Sequence, residues 1–475
     1  MVAVVSIERD GAALFVARIT VRLVGFLSVI YFARALGAAA LGIYFTFRSV
    51  VSVLTLLSYL GLPDATVKRI SQAETDDQRA PYLTAALLVA AGTFSVVTAV
   101  VVLFGDRLVN YIELGMAVPL VLLLVGLGTC RGILFGALRG EDQISVTAGL
   151  ETLGTLSRVA LSVLFLQMGY GLMGLIYGSA ISMVVTAALS FYFVDAGFAI
   201  PTPRAVRRLI DFARYTIGMN ISHLTYTWAD TMVLAFFVSK ASVGIYETSW
   251  RLTGISLIGA QAIGLTLVPA VTRWHEDGNL AGIERTFATA IGYAIALVLP
   301  AVIGVAVLGE ELLSVLYGFE TGVTVLFVLM VGQLAQAVKY ITENVLLGID
   351  RPKEVFRTNV LSVLANVGLN FLLVPSMGMY GAAVATLATA SVAVGAQLWY
   401  LRQDLSLSVE WRWVAWQVFV ALAMGGAITL LEQREFVPQN TVVGVVALVG
   451  VGVVIYGCGM LAQRDVRERL RAVLS

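Results

Sequence analysis

Thirteen charged residues interrupt the apolar runs of this chain, and they carry most of the chemistry its sequence offers. Nine are basic: Arg18, Arg22, Arg48, Arg131, Arg158, Arg214, Arg251, Lys339 and Arg357. Four are acidic: Glu151, Asp230, Glu247 and Glu343. Where such a run crosses a bilayer, an ion near its centre costs roughly 2.5–3.5 kcal/mol on insertion scales, so it needs a partner, a wet cavity or a function. Arg18 and Arg22 lie four residues apart on one helix face, like-charged and with no acid nearby in sequence. That face must line water or meet an anion. With Arg48 and Arg251 it describes a cationic cavity for phosphate or pyrophosphate, whose oxygens a guanidinium binds bidentately. Ion pairing between the two halves of the chain is the alternative. Glu247 with Arg251, and Lys339 with Glu343, have the spacing of helical ion pairs and could be structural. Arg131, Arg214 and Arg357 lie close enough to helix ends to snorkel. Asp230, beside Trp228 and Tyr226, reads three ways: a proton or cation site, a partner for an arginine, or a buried structural acid. His223 is a packing residue or an aid to coupling.

The elements that position these charges follow from composition. The 475 residues are 59% hydrophobic and 13% charged, with a mean hydropathy of +0.89. Soluble chains are about 45–50% apolar and about 25% charged, so a soluble enzyme and a disordered chain are excluded. A membrane helix needs roughly 20 apolar residues, which leaves room for about 14. Runs of that length fall near 13–35, 41–62, 82–104, 117–138, 144–166, 172–194, 213–238, 246–270, 284–307, 322–347, 355–374, 379–401, 412–431 and 440–462. They are continuous, not alternating as in a membrane β-barrel, and only helices satisfy their own backbone over such runs in lipid. Residues 38–40 read as a tight loop, and 64–81 and 195–211 as the longest loops. The first run carries Arg18 and Arg22, which a signal peptide should not.

Loop charges give the orientation. Of the 31 basic residues, eighteen fall on the side of the termini and four on the other, which places both termini in the cytoplasm. Net charge is +1, so no basic field for nucleic acid exists. The two cysteines, Cys130 and Cys458, lie in apolar runs and make no disulfide framework. The tail 464–475 reads as an amphipathic helix on the inner leaflet or a solvated cationic segment.

The chain repeats itself. Gly140-Glu141-Asp142 recurs as Gly348-Ile349-Asp350, Gly171-x-x-Gly174 as Gly378-x-x-Gly381, and Gly42-Ile43-Tyr44 as Gly244-Ile245-Tyr246. The unit holds six helices, an even number, so the halves have parallel topology and can rock about a central cavity. The expected division is an N-lobe, 1–200 (helices 1–6); a C-lobe, 201–403 (helices 7–12); helices 13 and 14, 404–463; and the tail, 464–475. Gly174-x-x-x-Gly178 and Gly381-x-x-x-Ala385 are faces for close helix packing.

These features resemble the polysaccharide and oligosaccharide-lipid transporters of the multidrug/oligosaccharidyl-lipid/polysaccharide exporter superfamily, including O-antigen flippases and, more distantly, lipid II flippases. The resemblance rests on Arg34-Ala-Leu-Gly37 followed by Gly42-Ile-Tyr44, Trp228-Ala-Asp230 followed by Val243-Gly244-Ile-Tyr246, and Pro269 with Arg273. It spans about residues 10–400 and is poor for substrate. It implies an all-α polytopic fold of twelve core helices in two lobes plus two more, working by alternating access. By placement on the first, second and eighth helices, it implies Arg18, Arg22, Arg48 and Arg251 as substrate-binding residues. The expected function is a flippase for a polyprenyl-phosphate or pyrophosphate-linked saccharide in a prokaryotic plasma membrane, with the lipid tail near helices 13 and 14. The alternative is a cation-coupled small-molecule or multidrug exporter, with Asp230 or Glu343 as coupling site. No nucleotide-binding loop, no metal-ligand spacing and no cofactor motif is present, and the short external loops argue against a membrane-embedded glycosyltransferase. The expected partners are the lipid-linked saccharide, membrane lipid and polysaccharide-assembly enzymes around a monomer.

Overall fold

The computed structural model describes the backbone of residues 2–433, 441–463 and 467, and within them side chains from residue 21 onward except at 22, 218–223 and 226. Its helices, in chain order, are α1 (Val2–Tyr59), α2 (Leu62–Ser71), α3 (Asp76–Leu103), α4 (Gly105–Ile112), α5 (Ala117–Gly140), α6 (Ile144–Gln167), α7 (Gly171–Phe193) and α8 (Pro203–Phe237). There follow α9 (Lys240–Thr253), α10 (Ile258–Glu276), α11 (Leu280–Glu311), α12 (Val323–Gly348), α13 (Pro352–Met377), α14 (Met379–Leu401), α15 (Trp411–Gln433) and α16 (Val442–Ala462). The protein is an all-α polytopic membrane protein. Among the described residues, twelve helical stretches are long and apolar enough to cross a bilayer. The expected run 213–238 lies within α8, whose described apolar part, Thr227–Phe237, is shorter. The cationic tail falls largely outside the described residues.

Several segments differ from the sequence expectation. No loop separates the first two runs: α1 is broken only at Gly37, at φ 78° and ψ 171°, a conformation glycine reaches without a Cβ penalty. The segment read as a loop at 64–81 begins inside α2, which buries Leu62, Ala65, Thr66 and Ile70. That is an amphipathic spacing, too short and too polar on its other face to register as a span. Helix α4 is likewise short, buries Ile112, and packs Leu108, Val109 and Tyr111 against the neighbouring core. A 3-10 turn, Gly254–Leu257, joins α9 to α10, and a π-helical turn, Leu312–Tyr317, extends α11.

The chain forms two compact units, Met1–Gly244 and Ile245–Ser475. In the first, Phe47, Val51, Val101, Ile112, Val121, Leu124 and Ile176 knit α1, α3, α4, α5 and α7 into one apolar core. A second cluster, with Leu62, Ile70, Leu83, Ile133, Leu134 and Leu209, ties α2, α3 and α5 to α8. In the second unit, Leu308, Val420, Met424, Ile428, Leu448 and Tyr456 bind α15 and α16 to α11.

The repeated motifs carry the same contacts in each unit. After α5, Glu141, Asp142 and Gln143 donate their N–H groups to the carbonyls of Ala137, Arg139 and Leu138. After α12, Ile349, Asp350 and Arg351 donate to Val345, Leu347 and Leu346. Both aspartates take positive φ, 63° at Asp142 and 59° at Asp350. The next residue then reaches the chain beyond the repeat's last helix: Gln143 Nε2 donates to Asp195 Oδ2 at 2.9 Å, and Arg351 Nη2 to Asp404 Oδ1 at 2.7 Å. The tyrosines of the Gly-Ile-Tyr motifs pair alike, Tyr44 with Ser179 at 3.5 Å and Tyr246 with Thr386 at 3.4 Å. Helix packing is shared too. A Cβ on Gly178 would meet the Ser162 backbone nitrogen at 2.7 Å, and one on Gly381 the Leu373 carbonyl oxygen at 2.6 Å. The small residues of α7 and α14 thus set the closeness of α6 and α13.

Candidate functional site

Helix α1 carries three of the four arginines of the expected cationic site. Arg18 and Arg22 are on its helical backbone, and their side chains lie outside the described residues. Arg48 is half-buried beyond the Gly37 break, among the buried neighbours Phe47 and Ser49. Asp230 is half-buried on α8, one residue after the buried Ala229. Arg48 and Asp230 each have an interaction partner. Both belong to the first unit; Arg251 and Glu343 belong to the second. The expected neighbours of Asp230, Tyr226 and His223, lie outside the described side chains.

The two i,i+4 pairs form. On α9, Arg251 Nη2 donates to Glu247 Oε2 at 3.2 Å, with Glu247 3% and Arg251 38% exposed. The carboxylate is therefore buried while the guanidinium keeps access to water, so the pair fixes the acid. On α12, Lys339 Nζ stands 3.8 Å from Glu343 Oε2. The other oxygen of Glu343 accepts from Asn359 Nδ2 at 2.9 Å. Glu343 is thus held on both oxygens. Asn359 was not singled out by sequence reasoning: a lone amide on α13 gives no periodic signal, and only packing of α13 beside α12 reveals the contact.

The snorkelling residues are resolved individually. Arg214 is exposed, hydrogen-bonded to Tyr215 Oη at 3.0 Å and 4.8 Å from that ring's centroid. Arg357 is exposed. Arg131 instead lies over Phe135, 5.0 Å from the ring centroid, one helical turn along α5. Glu151 is half exposed and bonded to Arg139 Nη2 at 2.5 Å.

A further cluster forms at Lys240, which the sequence marks only as a charge between the runs 213–238 and 246–270. Its Nζ is buried, donates to the Ala235 carbonyl at 2.9 Å and lies 5.2 Å from the centroid of the Tyr111 ring. Glu113 Oε1 is 3.9 Å away, and Tyr111 Oη donates to the Met232 carbonyl at 2.8 Å. This ties α4 to the end of α8. Burial raises the Tyr111 hydroxyl above its ordinary range, which keeps it a neutral donor. Among the described residues no group of three or more His, Cys, Asp or Glu side chains is arranged to hold a metal ion.

Comparison with known proteins places this architecture. Residues 7–275 match the model of a family described as "Polysaccharide biosynthesis protein". The chain is 28% identical over 464 residues to the "Probable low-salt glycan biosynthesis flippase Agl15" of Haloferax volcanii, covering 97% of each chain. It is 26% identical over 475 residues to the "Probable flippase AglR" of the same organism, covering 99% of this chain and 98% of the relative. Among solved structures, the inward closed lipid II flippase MurJ shares the fold with a TM-score of 0.79, at 14% identity, over 95% of this chain and 98% of that one. An inward-facing multidrug resistance MATE transporter matches with a TM-score of 0.65 at 17% identity, over 82% of this chain and 97% of that one.

Proposed function

Since the chain belongs to the polysaccharide biosynthesis protein family, we propose that it is a flippase for a lipid-linked saccharide. The observation that carries this reading is the likeness along nearly the whole chain to two relatives whose names describe flippases. The excess of base over acid within the apolar runs supports it, because a transported head group bearing phosphate needs cations where the bilayer supplies none. The substrate is a polyprenyl-phosphate or pyrophosphate-linked saccharide, and the membrane is the plasma membrane of a prokaryote, with both termini cytoplasmic. Arg18, Arg22, Arg48 and Arg251 bind the phosphate oxygens. Two six-helix lobes, 1–200 and 201–403, alternate access, and Asp230 or Glu343 couples an ion. The protein moves its substrate without making or breaking a covalent bond in it.

The test is translocation of a fluorescent polyprenyl-pyrophosphate saccharide by the purified chain in vesicles. Arg48→Ala should slow flipping about tenfold or more, the usual range for loss of a charged hydrogen bond, with folded protein retained. Arg48→Lys should recover only part, since a point charge cannot reproduce the fork. Wild-type protein that leaves the lipid on its original leaflet under every gradient tried would overturn the reading.

A further inference from the structure

The start of α15 and the end of α16 frame an open groove of about 1030 Å³, lined by Trp411, Arg412, Trp416, Phe419 and Gln463 together with Glu410. That is at the upper end of volumes that hold small molecules, about 300–1,000 Å³. Three of the chain's seven tryptophans fall between positions 411 and 416. They divide by role. Trp413 is 4% exposed and stacks edge-on against Tyr293, ring centroids 5.0 Å apart. One turn on, Gln417 Nε2 donates to the Gly292 carbonyl at 3.1 Å. These contacts anchor α15 on α11. Trp416 Nε1 donates to the Gly459 carbonyl at 3.1 Å and ties α15 to α16. Trp411 is 73% and Phe419 61% exposed, so the wall of the groove is an apolar surface with no protein over it.

The polar lining selects an anion. Arg412 is exposed and forms no ion pair among the described residues. Arg467 Nη2 donates to the carbonyl of Ala462, another lining residue, at 3.2 Å, which sets a second guanidinium at the rim. Against these two cations the described lining has one acid, Glu410, which has an interaction of its own. Arg464, Arg469 and Arg471 follow in sequence, with Asp465 and Glu468 between them. Tryptophan rings are favoured at the level of lipid head groups, and arginines near the surface attract anionic lipid.

We propose that this groove binds a resident anionic glycerophospholipid of the phosphatidylglycerol class. The phosphodiester meets Arg412 and Arg467, and the upper acyl chain lies against Trp411, Trp416 and Phe419. The proposal stands on the membrane fold alone and does not depend on transport.

Tryptophan quenching tests it. The purified full-length chain is placed in phosphatidylcholine vesicles containing an equal mole fraction of either brominated phosphatidylglycerol or brominated phosphatidylcholine. Brominated phosphatidylglycerol should quench more strongly. Arg412→Gln should cut that preference about fivefold, the effect of one arginine near a charged surface. Trp411→Phe with Trp416→Phe should abolish it while the remaining tryptophans are still quenched. Arg204→Gln, a cation outside the groove, should leave it unchanged. Equal quenching by both lipids in the wild type overturns the proposal. So does a preference that survives Arg412→Gln, or one that Arg204→Gln reduces equally, since a general surface-charge effect would then account for it.

Discussion

Arg251 and Glu247 show how a charge becomes tolerable in this fold, with the acid buried and the base at the edge of water. Asp230 is a half-buried acid on α8 with a partner of its own. If it carries the coupling ion, Asp230→Asn should abolish the dependence of flipping on an ion gradient while folded protein still reaches the membrane. Gradient-dependent flipping that persists in the variant removes Asp230 from that role. Outside the membrane, Glu141 accepts the N–H groups of Ala196 at 2.7 Å and Asp195 at 3.1 Å. Burial pushes its carboxyl up from the ordinary range, and those two N–H groups oppose the rise. A raised folded value means that the native state binds the proton more tightly than the unfolded chain does. The contribution is full below the unfolded carboxylate value, about 4.3, and is lost as pH rises through the raised folded value. The melting temperature in detergent should therefore fall across that window by a component that Glu141→Gln removes. Identical profiles for the two proteins would show that Glu141 does not titrate there.

At the scale of elements, helix contact is set by residues with almost no side chain. Gly178 and Gly381 bring α7 and α14 onto the backbones of α6 and α13. Gly178→Ala and Gly381→Ala should each lower stability by about 1–3 kcal/mol through overpacking, measured by denaturant unfolding in detergent. Gly395 on α14 has nothing within 4 Å of an added Cβ. Gly395→Ala should instead be neutral or stabilise by up to about 1 kcal/mol, the ordinary helical preference for alanine. Opposite signs at two positions on one helix would separate close approach from a general intolerance of substitution.

For the whole molecule, the side on which each loop emerges is the decisive quantity. The loop charges predict residues 207 and 470 inside and residue 320 outside. Cys130 and Cys458 are both exposed, so they must be replaced by serine before labelling. In sealed cells, a membrane-impermeant maleimide should then label Glu320→Cys, and should label Arg207→Cys and Leu470→Cys only after permeabilisation. Labelling of Leu470→Cys in intact cells would reverse the orientation.

The run lengths fixed helix type and place because a bilayer leaves the backbone no other way to satisfy its hydrogen bonds. Hence α5, α6 and α14 lie within a few residues of their expected bounds. The repeat was legible for a related reason: Gly-Ile-Tyr and the turns after α5 and α12 encode local geometry, and the same hydrogen bonds recur where the letters recur. Periodicity also foretold Glu247–Arg251 and Lys339–Glu343, since four residues is one helical turn. What it could not reach were partners brought close only by packing. Asn359 beside Glu343, Lys240 over Tyr111, and the groove between the ends of α15 and α16 join residues 16, 129 and about 50 positions apart. Helix α2 escaped notice because ten residues with a polar face cannot span a bilayer, yet they bury Leu62 and Ile70 once α3, α5 and α8 are there to receive them. Tertiary structure decided these contacts because a helix's sequence specifies which face is apolar, but only its neighbours determine which side chains that face meets.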